Sequence, residues 1–140
     1  MHTKPDSSPY ALSNTYWAER WGELKKKHLE SVNIIHEGDF WMDPSNVRRY
    51  LENTRGSYGK VVTTQLRTMD IPSGTRVLDI GSGPGTLAVP LAKQGCDVTV
   101  VEQSPLMGAA LEKYRIEEEA RPITTILNKW ELLTATDLPG

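Results

Sequence analysis

Cysteine is almost absent from this 140-residue chain. Cys96 stands alone, so no intrachain disulfide can staple the fold. No run of about 18 apolar residues occurs either, which leaves no candidate for a membrane-spanning helix. Charge of one sign is missing too: 16 Lys and Arg face 18 Asp and Glu, a net of −2. A dedicated nucleic-acid binder shows a basic face, and so even a balance argues against one. Residues 1–9 lack the apolar core of a secretion signal. With the lone cysteine, that makes the cytoplasm the expected setting. The length gives room for one domain with a real core.

Aromatic residues are few and unevenly spread. Of the ten, eight lie in the first 58 positions: Tyr10, Tyr16, Trp17, Trp21, Phe40, Trp41, Tyr50 and Tyr58. Only Tyr114 and Trp130 follow. Large rings bury large areas, so packing of helices on one another explains any single one. As a group they also suit a lid over a ligand.

The stretch at residues 76–91 organises the chain. Val77, Leu78, Asp79 and Ile80 have the length and composition of a buried parallel strand. The turn Gly81, Ser82, Gly83, Pro84, Gly85 follows, where glycine takes positive φ freely and lets a ligand approach the backbone. Leu87, Ala88, Val89, Leu91 and Ala92 then read as a helix packing back on the sheet. Pro90 is tolerable if that helix begins near Gly85 or Thr86, because first-turn N–H groups have no acceptor to lose. Strand, glycine turn and helix N-terminus make a nucleotide-binding element. Asp79 bears on which nucleotide. A carboxylate there would repel a pyrophosphate, and Thr86 stands where a dinucleotide fingerprint needs Gly or Ala. The same carboxylate suits a ligand with an ammonium and a sulfonium.

Asp79-x-Gly81-x-Gly83-x-Gly85 after an apolar strand resembles the first motif of the class I S-adenosylmethionine (SAM)-dependent methyltransferases. Glu102, closing the apolar run 98–101, is similar to that family's acidic residue that holds the ribose hydroxyls, with Gln103 beside it. A carboxylate offers an acceptor pair to two vicinal hydroxyls. At an exposed strand end, Glu102 is expected to matter little for stability. The loop after the family's third strand flanks the adenine, and Asn128, Lys129 and Trp130 occupy it here. The resemblance implies an α/β, Rossmann-like three-layer sandwich with a partial parallel sheet of about three strands, preceded by a helical segment. It implies SAM as cofactor and Asp79, Gly81, Ser82, Gly83, Pro84, Gly85, Glu102, Gln103, Lys129 and Trp130 as its contacts. The expected activity is methyl transfer to an unidentified acceptor. A non-catalytic SAM-binding or scaffolding module and a dinucleotide-dependent oxidoreductase domain stay open as alternatives.

Around this motif the chain divides into a lead or lid segment, residues 1–70, and a cofactor-binding half, residues 71–140. Residues 15–31 read as an amphipathic helix with Trp17, Trp21, Leu24 and His28 on one face and Lys25, Lys26 and Lys27 solvated. Residues 33–43 form a break. Asp43 and Pro44 start a second helix with Val47, Tyr50 and Leu51 as its stripe. Gly56 and Ser57 interrupt, and residues 58–69 form a third helix with Val61, Val62, Leu66 and Met69 inward. After the glycine motif, Gly95 ends a helix, residues 97–103 are a strand, and Ser104-Pro105 caps a helix running to about Ala120. Its apolar positions are Leu106, Ala110, Leu111 and Tyr114. Residues 123–127 form a β-branched third strand. His28 and His36 lie eight apart, not at the i,i+4 spacing of a helical zinc pair. With Glu37 and Asp39 they lack a third soft ligand, so no metal site is expected.

The family sheet has seven strands in the order 3-2-1-4-5-7-6, and the sequence stops near the approach to the fourth. The resemblance thus implies a fragment, with no catalytic base assignable. Its first strand becomes an edge without lysine or proline to blunt it. A homodimer through that edge is the expected assembly.

Overall fold

The computed structural model describes residues 14–31, 40–54 and 59–139. Helix α1 (Asn14–Ser31) leads to a single 3-10 turn at Phe40–Met42, then α2 (Pro44–Asn53) and α3 (Gly59–Met69). The second part alternates strand and helix: β1 (Arg76–Ile80), α4 (Ala88–Lys93), β2 (Asp97–Glu102), α5 (Pro105–Glu117) and β3 (Thr124–Leu127). Short 3-10 turns follow at Trp130–Leu132 and Ala135–Asp137. The three strands form one parallel sheet in the order β1-β2-β3, with Asp79 beside Val100 and Glu102 beside Leu127. This is the expected α/β, Rossmann-like arrangement. No helix among the described residues is long and apolar enough to cross a membrane.

The core sits between the sheet and its helices. Val98 and Val100 of β2 meet Ala88, Val89, Leu91 and Ala92 of α4, with Leu111 of α5 and Leu66 of α3 in the same cluster. The starts of α2 and α5 and the stop of α4 have local causes. The Asp43 carboxylate accepts the Ser45 N–H at 2.7 Å, with Pro44 in the first turn, and Ser104 Oγ accepts the Met107 N–H at 3.2 Å ahead of Pro105. Such caps satisfy donors a helix cannot use. Helix α4 closes on Gly95: its N–H reaches the Ala92 carbonyl at 3.0 Å, and that of Cys96 reaches Leu91 at 3.1 Å. These are the two bonds of a Schellman stop.

Several expectations need correction. Helix α4 begins at Ala88, after a run of turns, with Pro90 as its third residue between the Val89 N–H on the Gly85 carbonyl and the Leu91 N–H on the Leu87 carbonyl. Leu87 is left 37% exposed. Helix α5 stops at Glu117 because Glu119 turns left-handed (φ 52) and repeats the Schellman pattern, with Ala120 N–H on the Arg115 carbonyl at 3.0 Å. Leu106 and Ala110 are only half-buried, and Met107 and Gly108 take the inward places beside Leu111. In α3 Leu66 is buried, whereas Val61 and Met69 face solvent. A four-residue stripe is wider than the contact that α3 makes. On α1, Trp17, Trp21 and Leu24 are exposed rather than packed. The proposed break at residues 33–43 and the Gly56-Ser57 interruption lie largely outside the described residues, as do His36, Glu37 and Asp39.

Candidate functional site

The glycine turn leaves the carboxyl end of β1 and is bonded back to the sheet, Gly81 N–H to the Val101 carbonyl at 2.8 Å. Gly81 and Gly83 have φ of 73 and 54, and a Cβ on either would meet nothing within 4 Å. Backbone conformation therefore requires glycine at both, and the space beside them is open to a ligand. Gly85 differs. With φ 81, its Cβ would come within 2.8 Å of both Leu111 Cγ and Val89 Cγ2. It serves the close packing of α4 and α5 under the turn.

Glu102 ties the site together. One carboxylate oxygen accepts the Gly83 N–H at 2.8 Å and the other accepts the Ser104 N–H at 2.8 Å. The residue is only 6% exposed, which overturns the expectation of an exposed strand end with no structural role. Each oxygen keeps a second lone pair for a ligand hydroxyl. Ser104 is itself fully buried and donates its hydroxyl to the Trp41 carbonyl at 2.6 Å. The end of β2, the glycine turn and the Phe40–Met42 turn are thus one hydrogen-bonded unit.

Asp79 sits half-buried beneath. Burial, and after it the Glu102 carboxylate, push its pKa above the ordinary carboxylate range. Asp79 Oδ2 and Ser82 Oγ are buried without a hydrogen-bond partner among the described residues. Buried polar atoms are normally satisfied, so these two mark where a donor-bearing ligand would be welcome.

A cleft of about 710 Å³ opens over this unit, within the roughly 300–1,000 Å³ of small-molecule sites. It brings together Gly81, Gly83, Glu102, Gln103, Lys129 and Trp130 of the expected contacts. Asp79, Ser82, Pro84 and Gly85 are not on its wall, and Pro84 instead borders a smaller cavity of about 300 Å³ near Thr54 and Tyr114. From the lead segment come Trp17, Trp21, Trp41 and Tyr50. Lys25 also lines the cleft, against the expectation that its triplet is only a solvated face. The signal was there, since Trp17, Trp21 and Lys25 fall at i, i+4 and i+8. Asn128, which the sequence placed in the adenine-flanking loop, lines the cleft too, whereas Met107 and Glu131 on its wall carry no sequence signature.

No protein-family model matches the sequence. An uncharacterized protein of Haemophilus influenzae is 31% identical over 116 residues, covering 83% of this chain and 43% of its own length. The mitochondrial ubiquinone biosynthesis O-methyltransferase of Schizosaccharomyces pombe is 29% identical over 101 residues, 68% of this chain and 37% of that protein. The chain thus spans about two fifths of these curated relatives. Among solved structures, a putative SAM-dependent methyltransferase from Methanococcus maripaludis superposes with a TM-score of 0.52 at 23% identity, covering 68% of this chain and 46% of the other. A TehB-like SAM-dependent methyltransferase from Corynebacterium glutamicum gives 0.52 at 20% identity, covering 67% and 50%. At these identities the two structures show a shared fold.

Proposed function

We propose that this chain, which has the Rossmann-like fold of the class I SAM-dependent methyltransferases across β1 to β3, binds SAM in the cleft of about 710 Å³ and belongs to an enzyme that transfers its methyl group to an acceptor. The observation that carries the reading is Glu102. Its carboxylate holds Gly83 and Ser104 by their N–H groups, so the ribose acceptor and the glycine turn are positioned by one side chain. The residues fit the cofactor: open space beside Gly81 and Gly83, spare lone pairs on Glu102, and an unpartnered oxygen on Asp79. Glu102 and Gln103 would take the ribose and Lys129 and Trp130 the base, while Asp79, beneath the turn and off the cleft wall, would favour the cationic end by its charge. Pro84 and Gly85 shape the turn from behind.

Bound there, SAM supplies a sulfonium methyl to an attacking nucleophile. What the chain contributes is position. Orientation of two reactants removes much of the entropic barrier to such a displacement. The turn would fix one end of the ligand and Glu102 the middle, while Trp17, Trp21, Trp41 and Tyr50 line the cleft. In this division residues 1–70 serve as the cover and residues 71–140 as the cofactor half. Strand β1 pairs only with β2 among the described residues, and Leu78 and Ile80 on it are exposed. That edge is the surface through which the 140-residue chain would pair with a second copy.

Calorimetric titration tests the cofactor reading. Saturable binding of SAM and S-adenosylhomocysteine without NAD binding is expected, and tight NAD binding without either would refute it.

A further inference from the structure

The cofactor reading leaves one charge of SAM without a partner, the carboxylate of its amino acid end. Glu102 and Gln103 answer the ribose, Lys129 and Trp130 the base, and Asp79 the cationic groups. A carboxylate moved from water into a cleft costs free energy unless a donor or a cation meets it. Among the described residues, two cationic side chains line this cleft, Lys25 and Lys129. Lys129 belongs to the loop assigned to the base, where its N–H is held by the Asn128 side chain at 2.8 Å. Arg48 and Arg49 of α2 are exposed and lie off the wall. Lys25 is the cation that remains.

Its surroundings leave it available. Lys26 beside it pairs with Glu30 at 3.9 Å, whereas no carboxylate among the described residues holds Lys25, Glu131 on the same wall included. Trp17, Trp21 and Lys25 stand four residues apart along α1, so they share one helix face, and all three line the cleft. The protein itself gives that helix little to pack on. None of its described side chains is buried, and Leu29 alone is half-buried. Helices draw most of their stability from a packed face, so α1 gains from a ligand on which these three side chains close. The wall carries both signs, Lys25 and Lys129 with Glu102 and Glu131, which suits a zwitterionic end better than a group of one charge. We infer that Lys25 binds the carboxylate of the cofactor, so that its amino acid end is held from α1 as well as from the glycine turn. The inference rests on the SAM reading of the cleft.

Two ligands test it by calorimetric titration: S-adenosylhomocysteine and its decarboxylated form, which keeps the ammonium and loses only the carboxylate. The parent chain should bind the decarboxylated ligand about three- to tenfold more weakly, the range between an exposed ion pair and a charge-assisted hydrogen bond. Lys25→Gln should weaken S-adenosylhomocysteine by the same factor and leave the decarboxylated ligand unchanged. Lys25→Arg, which keeps the charge, should recover most of the loss. Lys129→Gln, a change on the same wall, should weaken both ligands alike. Lys25 is exposed, so its substitution does not threaten folding. If Lys25→Gln weakens both ligands equally, or weakens neither, the inference falls and the cofactor reading stands. If the carboxylate-selective loss follows Lys129→Gln instead, the inference falls in the same way. If S-adenosylhomocysteine does not bind the parent chain, the cofactor reading falls and the inference with it.

Discussion

The Ser104 hydroxyl donates to the main-chain carbonyl of Trp41 at 2.6 Å, across 63 positions of sequence. The same oxygen caps α5 by accepting the Met107 N–H, and the Ser104 N–H rests on Glu102. One buried serine therefore fastens the aromatic wall to the floor of the cleft.

Substitution at Ser104 separates its two roles. Glycine is a fair N-cap, costing only a few tenths of a kcal/mol against serine, while alanine costs about 1 kcal/mol. Ser104→Gly should therefore stay folded yet release Trp41, and Ser104→Thr should keep both functions. Hydrogen exchange read at residues 40–53 should accelerate in the glycine variant and not in the threonine one. Unchanged exchange in both would mean that the Trp41 turn is held by other contacts.

Two glycines of one motif should fail differently. Gly85→Ala meets both a positive φ and overlap with Leu111 and Val89, and should destabilise the chain by about 2–4 kcal/mol. Gly81→Ala meets only the positive φ and should cost about 1–2 kcal/mol. Its methyl group would point into open space beside the cleft, so the larger loss should be in S-adenosylhomocysteine affinity. Chemical denaturation paired with calorimetry checks the contrast, and equal stability losses would count against it.

Asp79 predicts opposite signs for stability and binding. Its folded pKa is raised, by burial first and Glu102 second. The ionised form is thus a cost to the unliganded fold, full above that pKa and relieved as pH falls through it. Asp79→Asn should raise the unliganded Tm at neutral pH by roughly 1–3 °C, a modest gain because the group is partly screened by solvent. A cationic ligand group reverses the sign, since it favours the charged carboxylate. S-adenosylhomocysteine affinity should fall about tenfold in the variant, the scale of a charge-assisted hydrogen bond. In the parent chain it should weaken as pH drops through the raised pKa. A variant that binds as well as the parent across that range removes Asp79 from the site.

How much of this was legible in the sequence depended on the reach of each signal. Caps and turns act within three or four residues, so Asp43, Ser104 and Gly95 could be read directly. The β1-turn-α4-β2 order was legible for the same reason. Glu102 was found as a ligand candidate, but its burial was not, because the Gly83 N–H that covers it lies 19 positions away. The end of α5 was misplaced because Glu119 adopts a conformation that glycine usually announces. Val61 and Met69 fit a helical stripe, and periodicity does not tell how much of a stripe finds a neighbour. Lys25 was hidden in a charged triplet, although its spacing from Trp21 already placed it on the cleft side.

The open edge of β1 predicts association of the 140-residue chain. Leu78 and Ile80 are 42% and 48% exposed on a strand paired on one side, and such an edge is a template for another strand. Sedimentation at tens of micromolar should show a dimer. Leu78→Lys, which puts a charge on that strand, should return it to monomer. A parent chain that sediments as a monomer removes the edge as an interface.

The central claim is that Glu102 holds the glycine turn and the ribose at once. A double-mutant cycle between Glu102→Gln and a ligand lacking both ribose hydroxyls tests it most directly, using S-adenosylhomocysteine and its 2′,3′-dideoxy analogue in calorimetric titrations. The two changes should be coupled by about 1.5–3 kcal/mol, because each removes the same charge-assisted hydrogen bonds. Full additivity, with Glu102→Gln weakening both ligands alike, would contradict the claim and leave Glu102 as a support for the turn alone.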